Sequence, residues 1–406
     1  MDLQGGVIST KLRAYDMSLL LFSLASLMMG IYSGLYDPSF NNYLAQVHHL
    51  GEVARGALEF PRELPGFLVV VVFTILLFLK DTRLTMVATL LVAVSLWGQG
   101  FMAPSMTMMV LWMLLWSTGA HLFMVMRSSL ALRLAEKEQA GKLLGQVGGL
   151  EAAGVLLGSS LVYVGVSKLN FSFAVIFGIA GSCALLATVC MFLIKGEPIK
   201  RPPRYLLFKK KYSLFYILNI LFGARKQIFL TFAPWVLIRL FGQGVETFAI
   251  LSLIGTGVGL FFRPLLGRAI DRIGEKRIIV AESLGLIIIC ILYAYAPLWF
   301  PADIALTVVM ACFIADQVLF AVNMARTTYL NRIAESPDDL APTLSMGVTL
   351  DHMVSMTVPI GGGLLWAGLG YQWVFISAAL IAVINLLAAL KIPEITTSSP
   401  PQTQAV

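Results

Sequence analysis

Long apolar stretches constrain this sequence more than any other feature. At least ten stretches approach or exceed the ~20 residues that an α-helix needs to cross a bilayer. Hydrophobic residues make up 58% of the chain and charged residues only 13%, whereas soluble domains carry about 25% charged residues. The sequence therefore predicts an all-α integral membrane protein and excludes a soluble domain. We place twelve membrane spans at residues 17–44, 54–79, 84–103, 106–132, 144–166, 171–194, 213–238, 247–266, 278–296, 303–328, 343–367 and 372–391.

Lysine and arginine side chains concentrate on one side of these predicted spans. The even-numbered connections and both tails carry most of them, and the opposite side has little beyond Lys168 and Arg239, with Arg55 and Arg62 near the outer end of span two. Basic loops stay in the cytoplasm, so the asymmetry predicts a multi-pass protein of the plasma (inner) membrane with both termini cytoplasmic. Topology thus explains the net charge of +7, and we expect no nucleic-acid partner.

Sequence motifs exclude further classes of protein. The four cysteines lie in apolar stretches and lack the spacing of a disulfide framework or a zinc site. We find no phosphate-binding loop of an ATPase and no matched nucleophile and base. The polar N-terminus lacks the apolar core of a cleavable signal peptide. We therefore expect neither an enzyme nor an ATP-driven pump, and we expect no cofactor and no metal site.

A basic segment with three prolines divides the chain into two halves of similar length. Residues 195–212, KGEPIKRPPRYLLFKKKY, separate a first half at 1–194 from a second half at 213–392, which a tail at 393–406 follows. This composition is typical of a cytoplasmic linker that lies at anionic lipid headgroups. We therefore predict two six-helix units joined by a cytoplasmic linker.

The two halves repeat one another. RSSLALRLAE, which begins at Arg127, aligns with RTTYLNRIAE, which begins at Arg326. With one extra residue allowed in the following loop, Glu151 aligns with Asp351. Halves of six spans repeated in parallel are known in secondary transporters, where the binding site lies between the halves near the membrane midplane.

The loop between spans eight and nine, GRAIDRIGEKR, resembles the cytoplasmic loop motif of the major facilitator superfamily, a Gly, then Asp-Arg, then Gly followed by basic residues. The matching residues are Gly267, Asp271, Arg272, Gly274, Lys276 and Arg277. The equivalent loop of the first half, LLFLKDTRL, keeps Asp81 and Arg83 but has leucine in place of the first glycine. The resemblance implies twelve helices in two pseudo-symmetric six-helix bundles and a central cavity lined by spans one, four, seven and ten.

The resemblance also implies roles for single residues of this loop. Gly267 permits a close approach of helices, and Asp271 takes up nearby positive charge. Gly274 makes the turn between the two spans. The three basic residues of the motif then face the lipid headgroups.

Two pairs of opposite charges fall at matching depths inside the predicted spans. Arg127 and Glu151 each lie about nine residues, or ~13 Å of helix, from the same membrane face, on consecutive antiparallel spans. Arg326 and Asp351 lie at the same predicted depth in the second half. We therefore expect Arg127–Glu151 and Arg326–Asp351 ion pairs that act as structural or gating elements. A direct role in handling substrate or protons remains the alternative.

Two adjacent cations lie in the middle of span seven. Arg225 and Lys226 point about 100° apart on a helix, so we expect one of them to face the central cavity. Two cations at this depth favour an anionic group on the substrate. The alternative is internal neutralisation by Asp316 of span ten or Asp37 of span one.

Asp37 and Asp316 are also the best candidates for carrying protons. A carboxylate in a cavity of low dielectric constant takes up a proton more readily, and a nearby cation opposes this change. Asn41 and Asn323 add neutral hydrogen-bonding groups to the presumed cavity helices. The predicted substrate site therefore combines Arg225, Lys226, Asp316, Asn323, Asp37 and Asn41.

The start of span two, EVARGALEFPRELPGF, carries four charges and two prolines. Arg55, Glu59 and Arg62 fall on one helical face, and Glu59 and Glu63 are four residues apart. This pattern predicts either a charged face that seals the outer mouth or a plain solvated helix end. The prolines predict a bend or an interruption of the helix.

The sequence therefore predicts a secondary active transporter that works by alternating access as a monomer in the lipid bilayer. We expect a small organic solute of anionic or amphiphilic character and coupling to protons. Gly154 and Gly158 in GVLLGSS resemble the superfamily's antiporter motif, with Ser where Pro is expected, which favours export. An importer or uniporter, or a transporter-like sensor or scaffold, remains open. His352 and Met356 are the basis of a further alternative, copper(I) transport.

Overall fold

All regular structure in the described chain is helical. The computed structural model describes residues 3–76, 79–135, 139–194 and 206–393. The helices are α1 (Leu3–Gln46), α2 (Glu52–Ala57), α3 (Glu59–Phe67), α4 (Val69–Ile75), α5 (Asp81–Phe101), α6 (Met106–Leu134), α7 (Ala140–Leu169), α8 (Phe173–Leu193), α9 (Ser213–Arg239), α10 (Val245–Ile273), α11 (Glu275–Trp299), α12 (Ala302–Leu319), α13 (Asn323–Ile333), α14 (Pro337–Leu369) and α15 (Tyr371–Leu390). Short 3₁₀ turns precede α9 (Lys210–Tyr212) and join α12 to α13 (Phe320–Val322).

Each predicted membrane span falls on one helix or on a run of consecutive helices. In the described segments, nine helical segments are long and apolar enough to cross a membrane, with α12 and α13 counted together. The three remaining predicted spans correspond to α2–α4, α9 and α14. These three contain Arg225, Lys226, Asp351 and the four charges at the start of span two. The count of twelve therefore fits the structure.

The helices pack as two bundles that meet along two seams. In the first bundle α1 packs on α7 and α8, and α5 packs on α6 and α8. In the second bundle α9 packs on α14 and α15, and α11 packs on α12 and α15. Contacts of α7 with α10, and of α14 with α2 and α3, join the two bundles. This arrangement is the predicted pair of pseudo-symmetric bundles.

The two ends of the molecule are named here by the predicted linker. The linker end is the end at which α8 stops and α9 begins, and the far end is the opposite one. Residues 195–205 of the linker and 394–406 of the tail lie outside the described residues. The rest of the linker docks on α14, where Lys209 Nζ donates to Asp339 Oδ2 (2.6 Å). This hydrogen bond holds the pKa of Asp339 below its usual value.

Span two is broken into three short helices, as its prolines predict. Pro61 lies in the first turn of α3 and Pro65 lies near its end, and neither offers a backbone N–H for the helical ladder. Gly56 lets α2 approach α14, because a Cβ there would overlap the carbonyl oxygen of Pro359. The bent span thereby presents its charged face to the second bundle rather than to water.

Glycines set the distance between α1 and α7. A Cβ at Gly34 would overlap the carbonyl oxygen of Val155, and a Cβ at Gly158 would overlap that of Ile31. Small residues allow membrane helices to approach closely and to gain packing contacts there. Gly158, one of the two glycines that resemble the antiporter motif, therefore lies at a tight interhelical contact.

We expect Gly34→Ala to destabilise the protein by about 1–3 kcal/mol, because the new methyl group forces α1 away from α7. Thermal unfolding of the purified protein in one detergent measures the effect. Gly257→Ala on α10 is the matched control, since a Cβ there meets nothing within 4 Å. Equal unfolding temperatures for the two variants would contradict this account of the α1–α7 contact.

Candidate functional site

A cavity of about 910 Å³ lies between the two bundles. Residues of α1, α7, α9, α10 and α12 line it, together with side chains from α2, α3 and α6. Its aromatic lining consists of Tyr36, Phe40, Phe229, Phe248, Phe313 and Phe320. Its charged and amide lining includes Asp37, Asn41, Arg55, Arg62, Arg127, Glu151, Arg263, Asp316 and Gln317. Such a mixture suits a polar solute that also has an apolar face.

The far end of the cavity is closed by contacts between the bundles. Gln227 Nε2 of α9 donates to Glu59 Oε2 of α3 (2.6 Å). Beyond it, Arg239 Nη2 donates to the carbonyl oxygen of Leu50 (2.6 Å). Nearer the linker end, a Cβ at Gly145, Gly148 or Gly259 would meet nothing within 4 Å, so the cavity widens there. The structure is therefore closed at the far end and open toward the linker end.

Asp37 lies in the cavity near Arg62 but forms no ion pair with it. Its side chain is exposed, and Ser33 Oγ donates to Oδ2 (2.5 Å). Asn41 follows one helical turn later and accepts from Arg55 Nε (3.1 Å). Among the described residues no ion pair forms at Asp37. This carboxylate is thus available to a proton or to a polar group of a ligand.

Arg225 is neutralised inside the second bundle. It is 2% exposed and forms an ion pair with Asp316 of α12. The rings of Phe222, Phe229 and Phe320 surround its guanidinium, whose Nη2 has no hydrogen-bond partner among the described residues. Asp316 lines the cavity, whereas Arg225 does not. Of the two predicted outcomes, the structure therefore shows internal neutralisation.

Lys226 is neutralised as well, by a partner that the sequence did not indicate. Its Nζ contacts both carboxylate oxygens of Asp351 on α14, at 2.8 and 2.7 Å. Gly223 makes the room for this contact, because a Cβ there would overlap Asp351 Oδ1. Contrary to our expectation, neither Lys226 nor Asn323 lines the cavity.

The predicted pair of Arg127 and Glu151 is present in the structure. The two side chains form an ion pair between α6 and α7, and both line the cavity. Arg263 of α10 lies near enough to Arg127 to repel it, and it is exposed without an ion-pair partner in the described segments. The wall of the cavity nearer the linker end therefore carries one uncompensated positive charge.

The predicted pair of Arg326 and Asp351 is wrong. Arg326 instead pairs with Glu282 of α11, through Nη2–Oε2 (2.9 Å) and Nη1–Oε1 (3.4 Å). Both side chains are at most 2% exposed. The guanidinium also lies over the ring of Phe222 (4.6 Å), and Asp351 is occupied by Lys226. Sequence reasoning missed Glu282, although an acid inside predicted span nine was a visible signal.

Nearer the linker end, two ion pairs do follow the symmetry of the repeat. Arg133 pairs with Asp81, and its counterpart Arg332 pairs with Glu275 (3.2 Å). Glu275, rather than the predicted Asp271, thus takes up positive charge in the second loop. These two ion pairs join α6 to α5 and α13 to α11 in equivalent positions.

The other residues of the loop motif follow the expectations in part. Gly274 makes the turn between α10 and α11 with φ of 83°, a conformation that favours glycine. Gly267 does not mediate a close helix approach, because a Cβ there would meet nothing within 4 Å. Asp271 is exposed and forms no ion pair within the described ranges. Arg272, Lys276 and Arg277 do not line the cavity.

The four charges of span two form a buried network. Glu59 accepts from Arg55 and Arg62, and Arg62 also pairs with Glu63 (2.7 Å). Arg55, Glu59 and Glu63 are at most 5% exposed, so the solvated helix end is the wrong alternative. Glu63 further contacts His352 across the interface between the bundles (2.9 Å). The network therefore belongs to the closed far end.

Comparisons with known proteins agree with this architecture. The family model for the Major Facilitator Superfamily matches residues 67–350. A structure of a mutant of the nucleoside transporter NupG aligns with a TM-score of 0.75 at 15% identity, over 92% of this chain and 99% of that chain. A D-xylose-proton symporter aligns with a TM-score of 0.70 at 17% identity, over 94% and 98%.

A third solved structure adds a conformational state. A bacterial homolog of the human lysosomal transporter Spinster, in an inward-facing and occupied conformation, aligns with a TM-score of 0.67 at 15% identity, over 94% and 96% of the two chains. A search of curated proteins found no match. At these identities the structural likeness shows the fold.

Proposed function

Because this chain belongs to the major facilitator superfamily, we propose that it is a secondary active transporter that carries a small polar organic solute by alternating access. The main support for this proposal is the cavity between the bundles. The hydrogen bond from Gln227 to Glu59 closes its far end, and it is wide at the linker end. A solute enters at the wide end, and rocking of the bundles then opens the other end. We propose that the linker end and both termini lie in the cytoplasm of a plasma membrane protein, because basic loops favour the cytoplasmic side.

The substrate proposed here is polar and carries a ring or another flat apolar face. Six aromatic side chains line the cavity and offer such a face a surface to pack on. Asn41, Gln317 and Asp37 supply hydrogen-bonding groups beside them. Arg225 and Lys226 already hold acids, so the anionic character expected from the sequence loses its main support. The nucleoside transporter and the D-xylose-proton symporter named above handle solutes of this polar kind.

Asp37 is the proposed proton carrier. An unpaired charge in a membrane cavity is costly, and protonation or a bound polar group removes this cost. Asp316, the second carrier expected from the sequence, already has Arg225 as an ion-pair partner. Proton uptake at Asp37 therefore changes the charge of the cavity and couples the proton gradient to the movement of the bundles.

The proposal is tested with the purified protein in proteoliposomes. A panel of nucleosides, pentoses and hexoses, organic anions and amphiphilic cations is tested for uptake under an imposed pH gradient. We expect saturable uptake of a polar, uncharged or weakly charged solute that collapses when an ionophore dissipates the gradient. Absence of flux across the whole panel would contradict transport, and uptake restricted to organic anions would contradict the substrate proposal.

A further inference from the structure

Three potential metal ligands meet where the two bundles touch. Glu63 of α3, His121 of α6 and His352 of α14 each offer one ligand atom, and these atoms lie within 4.8 Å of one another. Glu63 and His352 are buried and His121 is partly buried. The two imidazole rings meet edge to face, with centroids 4.9 Å apart. The cluster joins two spans of the first bundle to one span of the second, apart from the cavity lining.

His121 is oriented as metal-binding histidines usually are. Its Nδ1 lies 2.8 Å from the carbonyl oxygen of Ser117, an atom that only accepts hydrogen bonds. Nδ1 therefore carries the proton, and Nε2 keeps a free lone pair. A histidine that binds a metal almost always donates its other N–H to a carbonyl or carboxylate in this way.

Gly66 lets both imidazole rings pack closely against the backbone of α3. A Cβ built on Gly66 would lie 2.6 Å from His121 Nε2 and 2.7 Å from His352 Nδ1, so both nitrogens border the same point. Zinc binds histidine nitrogen at about 2.0–2.1 Å, so a small inward shift of these side chains brings both nitrogens to one ion. A side chain at this position would push the two rings away from this point.

Glu63 completes the set of donors. One of its carboxylate oxygens faces His352 Nδ1 (2.9 Å), and the other is held by Arg62 (2.7 Å). The charge of Arg62 opposes a bound cation, but the two acids of this network, Glu59 and Glu63, balance its two arginines, Arg55 and Arg62. Binding moves the proton of the His352–Glu63 hydrogen bond off Nδ1, either to Nε2 or to solvent.

We propose that Glu63, His121 and His352 form a binding site for a divalent transition-metal ion such as Zn²⁺, and that the bound ion locks the far end closed. Two imidazoles and one carboxylate are a common ligand set for zinc, which leaves a fourth position for water. This set is poorly suited to Ca²⁺ or Mg²⁺, which prefer oxygen ligands, and to copper(I), which prefers sulfur. Because the ligands come from both bundles, the ion opposes their separation and inhibits transport.

The test uses the full-length protein with Zn²⁺ in calorimetry and Co²⁺ as a spectroscopic probe. We expect one Zn²⁺ per chain, a higher unfolding temperature with Zn²⁺, and Co²⁺ absorption bands of a four- or five-coordinate site. His121→Ala and His352→Ala should each weaken binding by roughly 10-fold or more. The chain has four histidines, so His48→Ala/His49→Ala is the matched control and should bind as the unmodified protein does.

A further variant tests the site even if the histidine variants misfold. Glu63→Gln keeps the shape of the side chain but removes its charge, and it should also weaken Zn²⁺ binding while metal-free unfolding remains cooperative. Binding that survives both single histidine substitutions, or that is lost only in His48→Ala/His49→Ala, would overturn the proposal. No stoichiometric binding of either metal to the unmodified protein would overturn it equally.

Discussion

Asp37→Asn is expected to abolish accumulation of the solute against its gradient while leaving exchange of solute across the membrane intact. Asparagine keeps the size and hydrogen-bonding capacity of the side chain but cannot take up and release a proton. Without this step the proton gradient no longer drives transport, and the ratio of inside to outside concentration should fall to about 1. Uptake into proteoliposomes under an imposed pH gradient measures accumulation, and counterflow without a gradient measures exchange.

Asp303→Asn is the matched control for this substitution. Asp303 is an exposed acid in the first turn of α12 at the far end, away from the cavity lining. Accumulation should be unchanged in Asp303→Asn. If Asp37→Asn also accumulates solute as the unmodified protein does, Asp37 is not the proton carrier.

Glu282→Ala is expected to cost about 3–5 kcal/mol of stability, the largest effect on stability that we predict. The substitution leaves the guanidinium of Arg326 buried without an acid, and a buried charge that loses its partner is strongly destabilising. Glu282→Leu/Arg326→Leu should be far milder, because it removes both charges. Unfolding in mixed micelles measures each change in free energy.

Charge reversal distinguishes the observed pair from the one expected by symmetry. Glu282→Arg/Arg326→Glu should recover stability relative to either single substitution, since the ion pair is restored with opposite polarity. Asp351→Arg/Arg326→Asp should recover none. Rescue in the second double variant and not in the first would show that Arg326 pairs with Asp351 after all.

The fold was predictable because apolar length and the positions of basic loops are properties of the sequence alone. The bend of span two was predictable from Pro61 and Pro65 for the same reason. Within each bundle, pairs between adjacent spans of simple antiparallel geometry were also accessible, as Arg127 and Glu151 demonstrate. These inferences need only helical rise and chain order.

Which acid Arg326 and Lys226 would take in the second bundle was not predictable. Arg326 and Lys226 both lie within the second bundle beside Phe222, and only the packing of α9 against α14 decides that Asp351 goes to Lys226. The repeat predicted a symmetric arrangement, but Gly223 and Glu282, which have no assigned counterpart in the first half, break the symmetry. The cluster of Glu63, His121 and His352 was hidden because its members come from three distant spans.

Alternating access requires that opening one end of the cavity closes the other. Glu59→Gln tests it directly, because the change weakens the contacts to Arg55, Arg62 and Gln227 that close the far end. Spin labels at Val53 and Leu369 report on the far end, and labels at Leu144 and Ile273 report on the linker end, in a variant without cysteine. Pulsed electron paramagnetic resonance should show a longer far-end distance together with a shorter linker-end distance in Glu59→Gln. A longer far-end distance with an unchanged linker-end distance would contradict alternating access.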